Sequence, residues 1–276
     1  MPKIKVNDIN MYYEIHGDGF PLFMIQGLGG GSEFWAPATV DLLSKHFKVI
    51  LFDNRGSGRT DKPEIAYSID MFAADTAELM DALNIEKAHV LGISMGGMIA
   101  QGLVLNFPER VETLILCSTN CGFLKSVLPS PEILKTMMLD RGELTAEELL
   151  RSTIPFGWTD DFIKANPEFI EDEVRRALLV PIPEVSRDRQ LLAVSQYNSY
   201  RKLKKIARPT LILQGKEDVL MPPENAEILA QNIPGSILIL LDDSSHRIFQ
   251  PYTEKVVNYI VDFVNTSISK PIETIT

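Results

Sequence analysis

The amino-acid order predicts an α/β fold, a doubly wound and mostly parallel sheet interrupted once by a helical insertion. Three observations predict it. Short continuous apolar runs recur at "FPLFMI", "FKVILF", "AHVLGI", "ETLILC", "TLILQG" and "SILILL", and such runs suit strands covered on both faces. Helical stretches lie between them, so strands and helices alternate. From about residue 122 to residue 203 the strand-like runs vanish while prolines and helix signals multiply, and the sheet pattern resumes at "RPTLILQGKED". The expected organisation is a core of residues 1–121 and 204–276, with a helical lobe at 122–203 inserted between two strands.

The elements follow in order. "INMYYEIHGDG" reads as an N-terminal strand ending in a turn, expected at the antiparallel edge of the sheet. The helix expected over residues 70–83 puts Phe72, Leu79, Met80 and Leu83 on one face, with Asp70 as its N-cap. In the lobe, Thr145 opens a Thr-x-x-Glu capping box with Glu148. Pro167 and Pro183 each sit where a helix can begin.

Bulk properties bound the function. A chain of 276 residues with 45% hydrophobic residues can bury one substantial core. Its formal charge of -10 argues against nucleic acid or an anionic membrane surface as partner, since both need a cationic footprint. No apolar run approaches the roughly 18 residues of a membrane span, and "MPKIKVNDIN" lacks the apolar stretch of a secretory signal. A cytoplasmic location is expected. Cys117 and Cys121 are expected as buried thiols, not a redox pair.

The chemistry centres on "VLGISMGGMIAQ", a strand that turns directly into a helix with Ser94 at the bend. Such a bend presses neighbouring backbones together, and glycine at Gly92 and Gly96 removes the colliding Cβ atoms so that Ser94 can project as a nucleophile. In an open parallel sheet the ligand crevice lies at the carboxyl ends of the strands, and there the chain places "QGLGGG", "DNRGSG", Ser94, "KED" and "DDSSH". A serine hydroxyl needs a base to accept its proton. His16 belongs to the N-terminal turn, His46 precedes a strand and His89 enters one at its amino end, so these read as surface or structural residues, which leaves His246 as the base. An imidazole needs a carboxylate to hold its tautomer. Asp218 is the first choice, with Glu217, Asp53, Asp242 and Asp243 as alternatives; for Asp53 a structural contact with Arg55 is expected instead. The oxyanion of acyl transfer needs two backbone N–H donors, expected from Met95 and from Leu28 in "QGLGGG". The glycine cluster does not match the spacing of a phosphate loop or of a dinucleotide fingerprint.

These motifs resemble the α/β-hydrolase fold superfamily. "GISMGG" is similar to its nucleophile elbow, "DNRGSGRTD" to the glycine-rich loop after the fourth strand, "GKEDVLMPP" to its acid loop and "SSH" to its histidine loop. The order Ser, Asp, His agrees with that superfamily. The resemblance implies an eight-stranded sheet and a lobe that roofs the pocket as a cap. Gln26-Gly27 stands where many relatives carry His-Gly, a change similar to that in the enol-lactonase branch, where "SLG" follows an asparagine. Ser94 argues against haloalkane dehalogenase chemistry, and Arg247 against the carbon–carbon bond hydrolases, which often place tryptophan after the histidine.

Three functions follow. The first is hydrolysis of small soluble carboxylic esters through an acyl-enzyme, without cofactor or metal. The second is an enol-lactonase, whose substrate carboxylate needs a cation in the pocket, with Arg151, Arg187 and Arg189 as lobe candidates. The third is a non-catalytic binding protein of the same fold. Because the catalytic edge reads as uncharged loops, neutral short-chain esters are expected to outperform anionic lactones and long-chain lipids. Phe123, Phe156, Trp158 and Tyr197 are candidate pocket linings.

Overall fold

Each apolar run of the sequence forms a strand, and every one but "SILILL", at the edge of the sheet, buries both of its faces. The structure, a computed structural model, describes residues 2–137 and 144–269; positions 138–143 of the expected lobe and 270–276 of the expected core lie outside the described residues. The strands are β1 (Lys3–Val6), β2 (Ile9–His16), β3 (Pro21–Ile25), β4 (Lys48–Phe52), β5 (Ala88–Ile93), β6 (Val111–Cys117), β7 (Thr210–Gly215) and β8 (Ile237–Leu241). They form one sheet in the order β1-β2-β4-β3-β5-β6-β7-β8. The β1–β2 and β2–β4 pairs are antiparallel and the others parallel. β2 is therefore not the edge that its sequence suggested. The edge is β1, whose short, lysine-bearing "KIKV" leaves no continuous apolar run to read.

The period of two sorts side chains to two cores. Phe23, Ile25, Ile50, Phe52 and Val90 pack on one face of the sheet, against α2 (Ile69–Ala82) and α3 (Met95–Asn106). Leu22, Met24, Val49, Leu51, Leu91 and Ile93 pack on the other, against α1 (Pro37–Leu43) and α10 (Thr253–Ser269). This is the doubly wound α/β arrangement. Between β6 and β7 run α4 (Pro131–Met137), α5 (Ala146–Gly157), α6 (Asp160–Ala165), α7 (Pro167–Leu179) and α8 (Glu184–Gln196), and α9 (Glu224–Asn232) joins β7 to β8. Among the described residues no helix is long and apolar enough to cross a membrane.

Capping explains where the helices start. Thr145 and Glu148 form the reciprocal capping box, Pro167 occupies the first turn of α7, and Pro183 is the N-cap of α8. Asp70 is not the N-cap of α2. Ser68 takes that place, its hydroxyl accepting from Met71 N–H, while Asp70 lies in the first turn and accepts from Asn106. Both residue types cap well, and the apolar periodicity does not distinguish start points two residues apart.

The remaining histidines and the cysteines are structural. His16 pairs with Glu14 at 3.0 Å and His46 is exposed. Both thiols are free and buried, and burial pushes them up from their ordinary values. His89 is fully buried, with Nδ1 2.9 Å from Thr113 Oγ1 and its ring against Phe20 and Phe47. Burial pushes His89 down to about 4, so the folded protein holds it neutral where the unfolded chain already binds a proton. Its contribution to stability is thus present above the ordinary histidine value of about 6.5 and is lost as pH falls toward 4, by about 3 kcal/mol at most. Urea unfolding should therefore weaken between pH 7 and 4.5 by about 2–3 kcal/mol more in the wild type than in His89→Gln. An identical pH dependence in the two proteins would assign the acid lability elsewhere.

Candidate active site

Ser94 sits where β5 ends and α3 begins, at φ 57° and ψ -123°. A non-glycine residue holds such angles only when its surroundings fix it, and here they do. Ser94 N–H donates to Cys117 O on β6, and Ser94 O accepts from Thr119 Oγ1 at 2.7 Å and from Gly97 N–H at 2.9 Å. A Cβ on Gly92 would lie 2.2 Å from Gly96 O, and one on Gly96 would lie 2.1 Å from Ile25 O. The first glycine admits the helix and the second admits the neighbouring strand.

His246 and Asp218 come from the loops after β8 and β7. His246 Nδ1 lies 2.8 Å from Asp218 Oδ2, and both residues are buried. Asp218 is held by three further donors, with Oδ1 accepting from Leu220 and Met221 N–H and Oδ2 from Gln214 Nε2. A carboxylate only accepts, so His246 carries its proton on Nδ1 and leaves Nε2 available. The alternative acids lie elsewhere. Glu217 and Asp243 are exposed, and Asp242 pairs with Lys216 on the surface. Asp53 is fully buried but serves structure, accepting from Ser32 N–H and Arg59 N–H. The expected Asp53–Arg55 contact is absent: Arg55 pairs with Asp75 on α2 and with Asp8 in the turn between β1 and β2.

The loop after β3 meets Ser94 at the point where strand order reverses about β3, the switch point that leaves a crevice. A Cβ on Gly27 would stand 3.6 Å from Ser94 Oγ. Gln26 turns its side chain back on the loop, with Oε1 accepting from Gly27 N–H at 2.8 Å. Gln190 of α8, fully buried, braces the same loop. Its Oε1 accepts from Gly29 N–H at 2.8 Å while Nε2 donates to Arg55 O and Ser57 Oγ. Leu28 follows Gly27 and Met95 is the first residue of α3, where backbone N–H groups have no partner within the helix.

Ser94 and His246 line one cavity of about 330 Å³, with Leu28 on the loop side and residues of α5 and α7 on the other. Phe156 and Trp158 line it as expected. Phe123 and Tyr197 do not: Phe123 is exposed, and Tyr197 packs against the core under α2 and α3. Of the three lobe arginines only Arg187 reaches the cavity. Arg151 pairs with Glu147 and Glu171 on the surface, and Arg189 lies over Tyr67. The uncharged catalytic edge read from the sequence is corrected by Arg247 and Glu173, which meet at 2.9 Å in the cavity wall.

Residues 21–250 match the sequence profile of the family described as alpha/beta hydrolase fold. The chain belongs to that family. It is 32% identical over 265 residues to "Putative carbamate hydrolase RutD" of Azorhizobium caulinodans, covering 94% of this chain and 96% of that one. Among solved structures, the enol-lactonase of Burkholderia xenovorans LB400 superposes with a TM-score of 0.83 at 26% identity, covering 96% of this chain and all of the other. The thermophilic esterase of Thermogutta terrifontis superposes with a TM-score of 0.82 at 26% identity, covering 96% and 98%.

Two features of this α/β-hydrolase escaped the sequence. Gln190 carries no motif, and only the folded lobe brings it to the loop after β3. Arg247 was visible beside His246, yet its partner Glu173 is 74 positions away, so nothing local marked it as a cavity residue. The α/β-hydrolase pocket is consequently more polar at one end than its loops suggest.

Proposed function

We propose that this protein is a serine hydrolase that cleaves small carboxylic esters through an acyl-enzyme, with Ser94 as nucleophile, His246 as base and Asp218 as its orienting acid. The observation that carries the reading is the 2.8 Å His246–Asp218 pair on the same cavity as a serine in a strained elbow. Ser94 Oγ attacks the acyl carbon while its proton passes to His246 Nε2. The carbonyl oxygen becomes an oxyanion received by Leu28 and Met95 N–H, the second at a helix N-terminus whose dipole favours negative charge. Collapse breaks the bond to the alcohol, which leaves with the proton from Nε2. Water then gives a proton to Nε2, attacks the acyl carbon and releases the acid, and Ser94 regains its proton. One ester and one water become one acid and one alcohol, with no cofactor or metal in the cycle.

A lactone goes through the same steps, with acid and alcohol ends kept in one product. The guanidiniums of Arg187 and Arg247 on the cavity favour this second reading, since they offer a partner for a carboxylate-bearing lactone. The names of the relatives, a carbamate hydrolase, an enol-lactonase and an esterase, support attack at an acyl carbon. The net charge of -10 supports a free small molecule in the cytoplasm as the partner, not nucleic acid or a membrane surface. Treatment with a fluorophosphonate should label Ser94 rapidly, and a panel of small soluble esters should be turned over without added metal or cofactor. A folded protein whose Ser94 does not label would end the serine mechanism.

A further inference from the structure

Arg247 is an unusual wall for a small apolar cavity. Its side chain is 27% exposed, and its guanidinium carbon lies 4.8 Å from the Trp158 ring centre and 5.0 Å from that of Phe34. The two aromatic faces fix the guanidinium in place. Only Nη1 has an acceptor among the described residues, Glu173 Oε2. That carboxylate is shared, because its other oxygen accepts from Arg176 Nη2. Arg176 also pairs with Asp172, and Asp172 in turn with Arg175. In this chain of contacts three guanidiniums, Arg175, Arg176 and Arg247, share two carboxylates, Asp172 and Glu173.

The group is thus one negative charge short; its Arg175 end is exposed to solvent, and its other end, Arg247, faces the cavity. Burial, with a smaller effect of the nearby Arg176, pushes Arg247 down to about 10. A cation disfavoured in this way gains from an anion that enters with it. The size of the deficit selects the anion. A single carboxylate balances it and matches the two-pronged donor geometry of a guanidinium, whereas a phosphate dianion would leave excess negative charge beside Glu173. Glu173 keeps Arg176 as a partner when Arg247 turns to the ligand, so no carboxylate is left buried alone.

We propose that Arg247 is the carboxylate-recognition residue of this pocket, and that the ester or lactone cleaved at Ser94 carries a carboxylate on the part that lies toward Trp158 and Phe34. The proposal rests on the serine-hydrolase reading above. It makes Arg247 the residue that sets substrate charge, and not the lobe arginines 151 or 189, nor Arg187, whose Nη2 donates to Met137 O and whose Nη1 lies 3.8 Å from Asp188 Oδ1.

The test is protection of Ser94 from a fluorophosphonate at constant ionic strength, by succinate, glutarate and adipate against their neutral diamides. At least one diacid should halve the labelling rate at a concentration at least about tenfold below that of its diamide, the range expected of a charge-assisted hydrogen bond in a shielded site. Arg247→Gln should abolish that difference and Arg247→Lys should keep part of it. Equal protection by every diacid and its diamide would overturn the proposal while the serine mechanism stands. So would a charge preference that survives in Arg247→Gln. If Arg247→Gln does not fold, the wild-type comparison with Arg247→Lys decides. Failure of Ser94 to label at all would remove the hydrolase reading, and this proposal with it.

Discussion

Ser94→Ala is expected to lower turnover by about 10⁶-fold while leaving the fold and its unfolding midpoint unchanged. The activity is lost because the substitution deletes the hydroxyl that forms the acyl bond in the proposed cycle. The fold persists because the interactions that hold the elbow belong to the backbone of residue 94. Its N–H is bound to Cys117 O and its carbonyl to Thr119 Oγ1 and Gly97 N–H, and alanine keeps all three. Alanine also has the same Cβ as serine, so the cost of a positive φ does not change appreciably. Steady-state turnover of the best ester, together with urea unfolding of both proteins, checks the expectation. Retention of a tenth of wild-type activity by a purified sample would remove Ser94 from the mechanism.

Asp218→Asn is expected to cost about 10⁴-fold in kcat with the protein still folded. The reason is the direction of hydrogen bonds at one atom. Oδ1 faces the N–H groups of Leu220 and Met221, so the amide oxygen of asparagine takes that side and its NH₂ takes the place of Oδ2. That NH₂ then meets His246 Nδ1, which must give up its proton to accept. The proton moves to Nε2, the nitrogen that has to receive one from Ser94. The same substitution sets NH₂ against Gln214 Nε2, another donor, so a loss of about 1–3 kcal/mol in stability should accompany the kinetic defect. Asp242→Asn is the control, since Asp242 is exposed and pairs with Lys216 on the surface. A nearly normal Asp218→Asn beside an inactive Asp242→Asn would reverse the assignment of the acid.

The legibility of the site followed the range of the interactions involved. The elbow was readable because Gly92, Ser94 and Gly96 lie within five positions and one of the two close approaches, Gly92 against Gly96 O, is itself local; the other, Gly96 against Ile25 O, crosses to β3. The pairing of Asp218 with His246 was readable by elimination, each residue falling just past the carboxyl end of a strand. Arg55 was misread because proximity in sequence favoured Asp53, while the fold supplied Asp8 and Asp75 from other elements. Asp70 was misplaced as a helix cap because Ser68, another good capping residue, lies two positions before it and only the backbone path chooses between them.

What the sequence by itself determined was the fold class, the strand-turn-helix that presents Ser94, and the edge of the sheet where reactive groups gather. Those depend on the period of apolar residues and on steric limits between near neighbours, both of which are written along the chain. What only the tertiary structure decided was the character of the pocket. Gln190 reaches the loop after β3 from α8, and Arg247 meets Glu173 from α7, across separations of 161 and 74 positions. Electrostatic pairing and buried hydrogen bonding depend on distance in space, and a side chain of a given type reads the same in sequence whether it faces solvent, a partner or a cavity.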